Sequence, residues 1–253
     1  MIDINELYNQ FCSMYNTSQA GFYRPSPDFD GAAHEASLDI FNTLAANLGK
    51  SEKIDTWLMP FTKPINIVVK RKGTRSYVPK PPDFEYYASA RVIVGKEKIL
   101  CKEGCDVLDG DCVNAFAELD QSMFATGEVE YEEHEAELVK PGRWAAATRH
   151  VTRGPSVTRP ILKLTDDGYL IEPKNVGVIV MDYLRKPARP VYAFDTEDQG
   201  ENVYLRYNKE DSTQLEWSEV LMPVFLYRIG KRYGLTIKDD LVIQVSNIEK
   251  IFV

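Results

Sequence analysis

Residues 161–190, ILKLTDDGYLIEPKNVGVIVMDYLRKPARP, constrain the fold more than any other stretch of this 253-residue chain. Two short apolar-rich runs, 161–164 and 169–171, flank Asp167-Gly168, a pair that readily adopts the positive φ angles of a tight hairpin turn. Pro173 and Lys174-Asn175 supply a second turn. The run 176–184 follows, with Val176, Val178 and Val180 on one face and Ile179, Met181 and Tyr183 on the other. A strand apolar on both faces is expected to be central and covered on both sides. Pro187 and Pro190 stop it, because proline donates nothing to a ladder.

Helical patterns lie on either side of this meander. Asp3 and Glu6 have capping-box spacing, and Ile4, Leu7, Tyr8, Phe11, Met14 and Tyr15 recur at helical intervals. This predicts a first helix of about 12 residues ending before Gly21. Ser26-Pro27-Asp28 reads as a second helix start, with a stripe of Phe29, Ala33, Ala36, Ile40, Leu44 and Leu48 and Gly49 as the C-cap. The two form a helical hairpin. At the other end, Trp217, Val220, Leu221, Val224, Phe225, Arg228 and Ile229 predict a helix to about Tyr233, with Pro223 in its first turn or bending it. Asp239-Asp240 starts a last helix, with Leu241, Val242, Val245 and Ile248 expected to face inward.

The middle is less regular. Residues 53–61 read as about one helical turn and 65–70 as a strand. Residues 71–75 form a basic turn around Gly73, and Pro79, Pro81 and Pro82 mark a break. Residues 85–94 read as one or two strands. Residues 191–194 and 203–207 are two more short strands, with 195–202 as a polar loop. The segment 96–140 resists assignment, and within it 129–139 fits either a strand pair or an acidic helix. The fold class is therefore α+β: a helical body from both ends and a central antiparallel β-rich domain. The expected division is 1–62, 63–212 with an insertion around 96–140, and 213–253 packing back on the first part.

Charge narrows the function classes. Thirty basic residues against 38 acidic ones leave a net charge of −8, which argues against a protein whose main work is gripping phosphates. The acidic run 128–137, EVEYEEHEAE, carries much of the excess and reads as a solvated face or loop. Against it stands a basic cluster, Arg143, Arg149, Arg153 and Arg159, suited to phosphates or an acidic partner. The competing reading is a loop with its arginines stacked on aromatic surface. Cys101, Cys105 and Cys112 have C-x3-C-x6-C spacing, which is not that of a zinc site, and with Cys12 they read as reduced thiols. The segment 106–112 lacks the full calcium-loop pattern. His34, His134 and His150 are scattered, with His34 beside the second helical stripe. No nucleophile elbow, phosphate loop, zinc-protease motif or dinucleotide fingerprint is present. No run approaches the length of a membrane span, and the polar N-terminus does not read as a signal peptide. These features point to an interaction protein without enzyme activity, cofactor or metal.

Several phrases together resemble one family. They are INELYNQFCSMYNTSQAGFYRPSPDFDGAAHEASLDIFNTL, WLMPF, VPKPPDFEYYASARV, KPGRWAAATRHVTRGPSVTRPILKL, GYLIEPKNVGVIVMDYLRKPARP and LEWSEVLMPVFLYRIGKRYGLTIKDD. In layout and wording they are similar to the virion structural proteins of tailed phages of Bacteroidetes, crAss-like phages included, and in particular to the ring or adaptor proteins of the head–tail connector. The resemblance spans most of the chain and is weakest over 96–140. It implies a closed homo-oligomeric ring beneath the portal, a 12-mer by analogy with portal-attached adaptors. Its partners would be copies of itself, the portal and other ring or tail proteins. Genomic DNA would pass through without specific binding, and no membrane is involved. It further implies a virion location at the head–tail junction, synthesis in the host bacterial cytoplasm, and neither enzyme activity nor cofactor.

A ring of identical subunits needs two different, complementary side patches on each copy. Expected partner or channel contacts are the four arginines and Glu130, Glu132, Glu133 and Glu135, the acidic run 128–137 being the candidate for the wall of a channel that repels phosphates or for an exposed rim. The rival reading from the residues is a monomeric β-sandwich module that binds carbohydrate or peptide. A hydrolase using carboxylates is a third.

Overall fold

The structure is a computed structural model and describes residues 1–15, 27–72, 75–95, 131–150, 154–199, 202–235 and 239–251. The chain divides into two compact units: residues 1–61 with 186–253, and residues 62–185. The α+β class is as expected, with helices at both ends of the sequence and an antiparallel β-rich centre. The division differs at one end. The β-rich unit closes at Arg185 rather than at 212, because the segment after it bonds to the helices: Tyr192 N–H donates to Asp30 Oδ1 at 3.0 Å, and Val191 bridges Thr213.

In the first unit, α1 (Ile4–Tyr15) starts where Asp3 caps it, its Oδ1 accepting from Asn5 N–H at 2.8 Å. Helix α2 (Pro27–Ala45) ends before Leu48, and Gly49 takes the left-handed φ of +78° that closes the turn. Residues 53–61 form more than one turn: α3 (Glu52–Leu58), continued by a 3-10 turn, buries Ile54, Trp57, Leu58 and Phe61. Pro223 lies in the first turn of α5 (Met222–Arg232), where its missing N–H costs no helical bond. Val220 does not join the stripe. It falls in the preceding 3-10 turn and is exposed. In α6 (Asp239–Glu249), Leu241 and Val245 are buried, whereas Val242 is not.

Aromatic rings knit this core. Phe61 packs on Trp217 with centroids 4.5 Å apart, and Tyr8 meets Phe29 edge-on at 5.1 Å. Trp217 is buried, and its indole N–H donates to the equally buried Ser37 Oγ at 2.7 Å. At Gly230 helix α5 comes close to α1, and a Cβ there would meet the Tyr15 ring and displace it. A two-stranded ribbon of β10 (Phe194–Gln199) and β11 (Asn202–Tyr207) completes the unit. The segment expected as a polar loop is thus mostly strand. A ribbon with solvated residues owes its form to the ladder of its partner, so hydrophobic alternation does not reveal it.

Among the described residues the second unit holds nine strands. They are β1 (Thr62–Val68), β2 (Lys70–Lys72), β3 (Arg75–Pro79), β4 (Phe84–Gly95), β5 (Tyr131–Glu135), β6 (Glu137–Leu138), β7 (Ile161–Leu164), β8 (Gly168–Glu172) and β9 (Val178–Arg185). One sheet has the order β1-β9-β4-β5 and the other β2-β3-β8-β7-β6. β1 runs through Val69 into β2, and β5 runs through Ala136 into β6. Each bent strand joins an edge of one sheet to an edge of the other, so the two sheets close into a barrel of seven strand paths. An odd number of paths closes only if an odd number of neighbour pairs is parallel, and β6–β7 is the one parallel pair in an otherwise antiparallel ring. The interior is filled by side chains from both sheets, among them Ile67, Val78, Val92, Leu162, Tyr169, Ile179 and Met181.

β9 is the central strand that its two apolar faces predict. Ile179 and Met181 enter the barrel core, while Val178 and Val180 pack with Ile93 in a separate cluster. The hairpin β7–β8 forms, but its tip is Asp166-Asp167, closed by Thr165 N–H donating to Gly168 O at 2.7 Å. Gly168 itself is a buried strand residue without a positive φ. A Cβ there would strike Val78 O and the Tyr77 ring on β3. Close approach of two strands, and not turn geometry, demands this glycine.

Candidate functional site

The acidic run emerges as strands, not as a helix, and its two pieces do not pair with each other. β5 bonds to β4 in one sheet and β6 to β7 in the other. Successive side chains therefore alternate across the surface. Glu133 forms an ion pair with Arg91, 2.7 Å from Oε2 to Nη1, and Glu132 lies 3.5 Å from the His134 ring. Ala136 points into the core, which turns Glu135 and Glu137 outward. β5 is the end strand of the four-stranded sheet among the described residues, and consecutive carboxylates there discourage pairing with another chain. Glu130 lies outside the described residues.

The basic cluster is partly helical. The expected loop contains a 3-10 turn (Pro141–Arg143) and α4 (Trp144–Arg149). Three alanines between Trp144 and Thr148 favour helix, and no residue of α4 is buried. Arg143, Arg149 and Arg159 are exposed and have no ion-pair partner among the described residues. None of them stacks on an aromatic ring among those residues, where Lys80 over Phe84 provides the cation–π contact. Arg153 lies outside the described residues.

The two candidate clusters meet at one groove of about 530 Å³ on the outer side of the barrel. Glu135, Glu137 and Val139 form the strand wall. Arg143, Ala146, Ala147 and His150 form the opposite wall, and Arg159, Pro160 and Ile161 close the end. Of the residues singled out by sequence, Glu135, Arg143 and Arg159 are brought together. Glu132, Glu133 and Arg149 are not in the groove. The Glu135 carboxylate also acts on Tyr87, whose phenol is pushed up to about 12, first by burial and then by that charge. The Tyr87 hydroxyl donates to Ala136 O at 3.3 Å.

A second, smaller groove of about 140 Å³ adjoins Trp144 on the five-stranded sheet, lined by Arg75, Lys163, Leu170 and Glu172. Sequence reasoning left Arg75 and Lys163 out of the site. Each lies on a different strand, and only the register that sets Lys70 against Tyr77, and Lys163 against Leu170, places them on one face.

Elsewhere, ionisable groups serve packing. Arg228 of α5 bridges Asp39 of α2 and Glu249 of α6. His34 is held below the ordinary histidine range by burial and then by the Arg189 charge. Among the described residues no group of three or more His, Cys, Asp or Glu side chains is arranged to hold a metal. Cys101, Cys105 and Cys112 lie outside the described residues. No described helix is long and apolar enough to cross a membrane. No known protein-family model matches the chain, and no curated protein matches it.

Proposed function

We propose that this chain is a virion structural protein without enzyme activity, a subunit of a closed ring in the head–tail connector of a tailed phage. It would join the capsid vertex to the tail beneath the portal and leave a passage for DNA. Its partners are further copies of itself, the portal and other ring or tail proteins. The reading draws on the phrases quoted above, and the structural observation that carries it is on α6. Val242 and Ile243 are 43% and 60% exposed on a helix whose opposite side, Leu241 and Val245, is buried. Two adjacent β-branched apolar side chains facing outward suit a contact with a neighbouring subunit.

Mass photometry and negative-stain imaging of the purified chain, alone and mixed with the portal of the same phage, test this. Rings, or a monomer that assembles only on the portal, are expected. A chain that stays monomeric at tens of micromolar and ignores the portal would sink the proposal.

The monomeric binding-module reading has one observation in its favour, the groove of about 530 Å³, a size typical of ligand sites. Among the described residues no Phe, Tyr or Trp ring lines it, which weighs against a glycan platform and leaves a peptide as the occupant.

A further inference from the structure

Residues 62–185 carry 18 Lys/Arg and 19 Asp/Glu and so are close to neutral, but a local cluster of cations can still meet a polyanion.

The basic residues are concentrated on the outer face of the five-stranded sheet and the segment bearing α4. Lys70 and Tyr77 stand opposite each other on β2 and β3, and Tyr77, Leu170 and Lys163 form one row across β3, β8 and β7. Arg75, Lys163 and the half-exposed Trp144 share the smaller groove, and Arg143 and Arg159 line the larger one immediately beside Trp144. Lys70, Arg75, Lys163, Arg143 and Arg159 have no ion-pair partner among the described residues. Unpaired cations at intervals around an accessible indole and phenol make the arrangement that holds single strands. The cations follow the phosphates, and the rings stack bases without reading sequence. Glu172 shares the smaller groove and Glu135 and Glu137 the larger one, so the phosphates would follow Arg75, Lys163, Arg143 and Arg159 past these three carboxylates.

We infer that this face binds single-stranded nucleic acid, independent of sequence, through its phosphates and through stacking on Trp144. The inference goes beyond the ring reading and does not need it, because binding is measured on the free 253-residue chain whatever its oligomeric state.

The experiment is fluorescence anisotropy with labelled dT20, repeated over 25–200 mM salt. A 20-base-pair duplex and polyglutamate serve as comparison and competitor. Affinity should fall steeply with salt. The triple variant Arg75→Gln/Arg143→Gln/Arg159→Gln should weaken binding at least about tenfold at low salt and reduce the salt slope by about two, at ~0.7 per lost phosphate contact. Trp144→Ala should weaken dT20 by about tenfold while changing the salt slope little. Lys209→Gln on the helical unit should change nothing. All these positions are exposed or half-exposed, and thermal melting confirms that each variant is folded; the single arginine variants replace the triple one if it is not. Three results overturn the inference. They are no binding of dT20 at low salt, binding that the arginine and Trp144 variants leave intact, or displacement of dT20 by polyglutamate at equal charge. The last assigns the face to an acidic protein instead.

Discussion

At the scale of single residues, the clearest dependence is the pair formed by Ser37 and Trp217. Both are buried, and the indole N–H has its acceptor in the serine hydroxyl. Ser37→Ala leaves that donor unpaired in the core and should cost about 1–3 kcal/mol in urea unfolding. Ser37→Thr, which keeps an acceptor, separates the bond from the packing. Gly168 is as exacting for a different reason. Gly168→Ala pushes a methyl into Val78 O, and the separation of β3 from β8 should cost about 1–3 kcal/mol or more. His34 contributes to the unit's response to mild acid. Its folded pKa lies below the unfolded one, so the unfolded chain takes up the proton first as pH falls. The stabilising contribution is complete above ~6.5 and is lost as pH falls from there through the lower folded value. Melting temperature should therefore decline between pH 7 and 5, and His34→Gln should flatten that slope. An unchanged slope in the variant would remove His34 as its source. Asp83 acts in the same direction at lower pH, its carboxyl held below the usual range by hydrogen bonds from Lys63 and Tyr183.

Elements owe their surfaces to what covers them. The carboxylates of β5 lie on the end strand of the four-stranded sheet among the described residues, and their repulsion discourages pairing with another chain. Replacing Glu132 and Glu133 by threonine keeps β propensity and removes charge, although it also breaks the Arg91 pair. Light scattering should then show faster aggregation, reversed by placing one lysine on that strand. On α6, Ile243→Glu touches no core position. It should leave the melting temperature nearly unchanged, within the ±0.5 kcal/mol of an ordinary surface substitution, and should reduce self-association if that face meets a neighbour. Retained assembly in this variant would remove α6 from the interface.

For the whole molecule, the two units are joined at two points, Phe61–Thr62 and Arg185–Lys186. The barrel is a continuous stretch with its own closed ring of strands and its own core. Residues 62–185 should fold when produced alone, with a cooperative urea transition and a β-type circular dichroism spectrum. The tryptophans report separately: Trp57 and Trp217 are buried in the helical unit, while Trp144 is half-exposed on the barrel. A Trp144→Phe variant followed by fluorescence therefore watches the helical unit alone. A fragment 62–185 without a cooperative transition would show that the barrel depends on the rest of the chain.

What the sequence determined by itself is local. Helix starts at Asp3 and Pro27, the stop at Gly49 and the central position of the strand read over 176–184 follow from caps, backbone limits and periodicity, whereas Pro223 could equally have bent its helix. These act within a few residues of one another. The tertiary structure decided whatever depends on pairing. It set 194–199 as strand, divided the acidic run between two sheets, and turned Val220 and Val242 outward. Gly168 changed its meaning from turn residue to point of strand contact. The site divides in the same way. The arginines after residue 140 and the glutamates before it were legible as charge clusters. Their meeting in one groove, and the addition of Arg75 and Lys163 to the same face, came from ladder registers between strands up to about a hundred residues apart. Local chemistry is written in neighbours along the chain, but which face a side chain joins is set by the strand beside it, and closing the barrel fixes that choice for all the strands together.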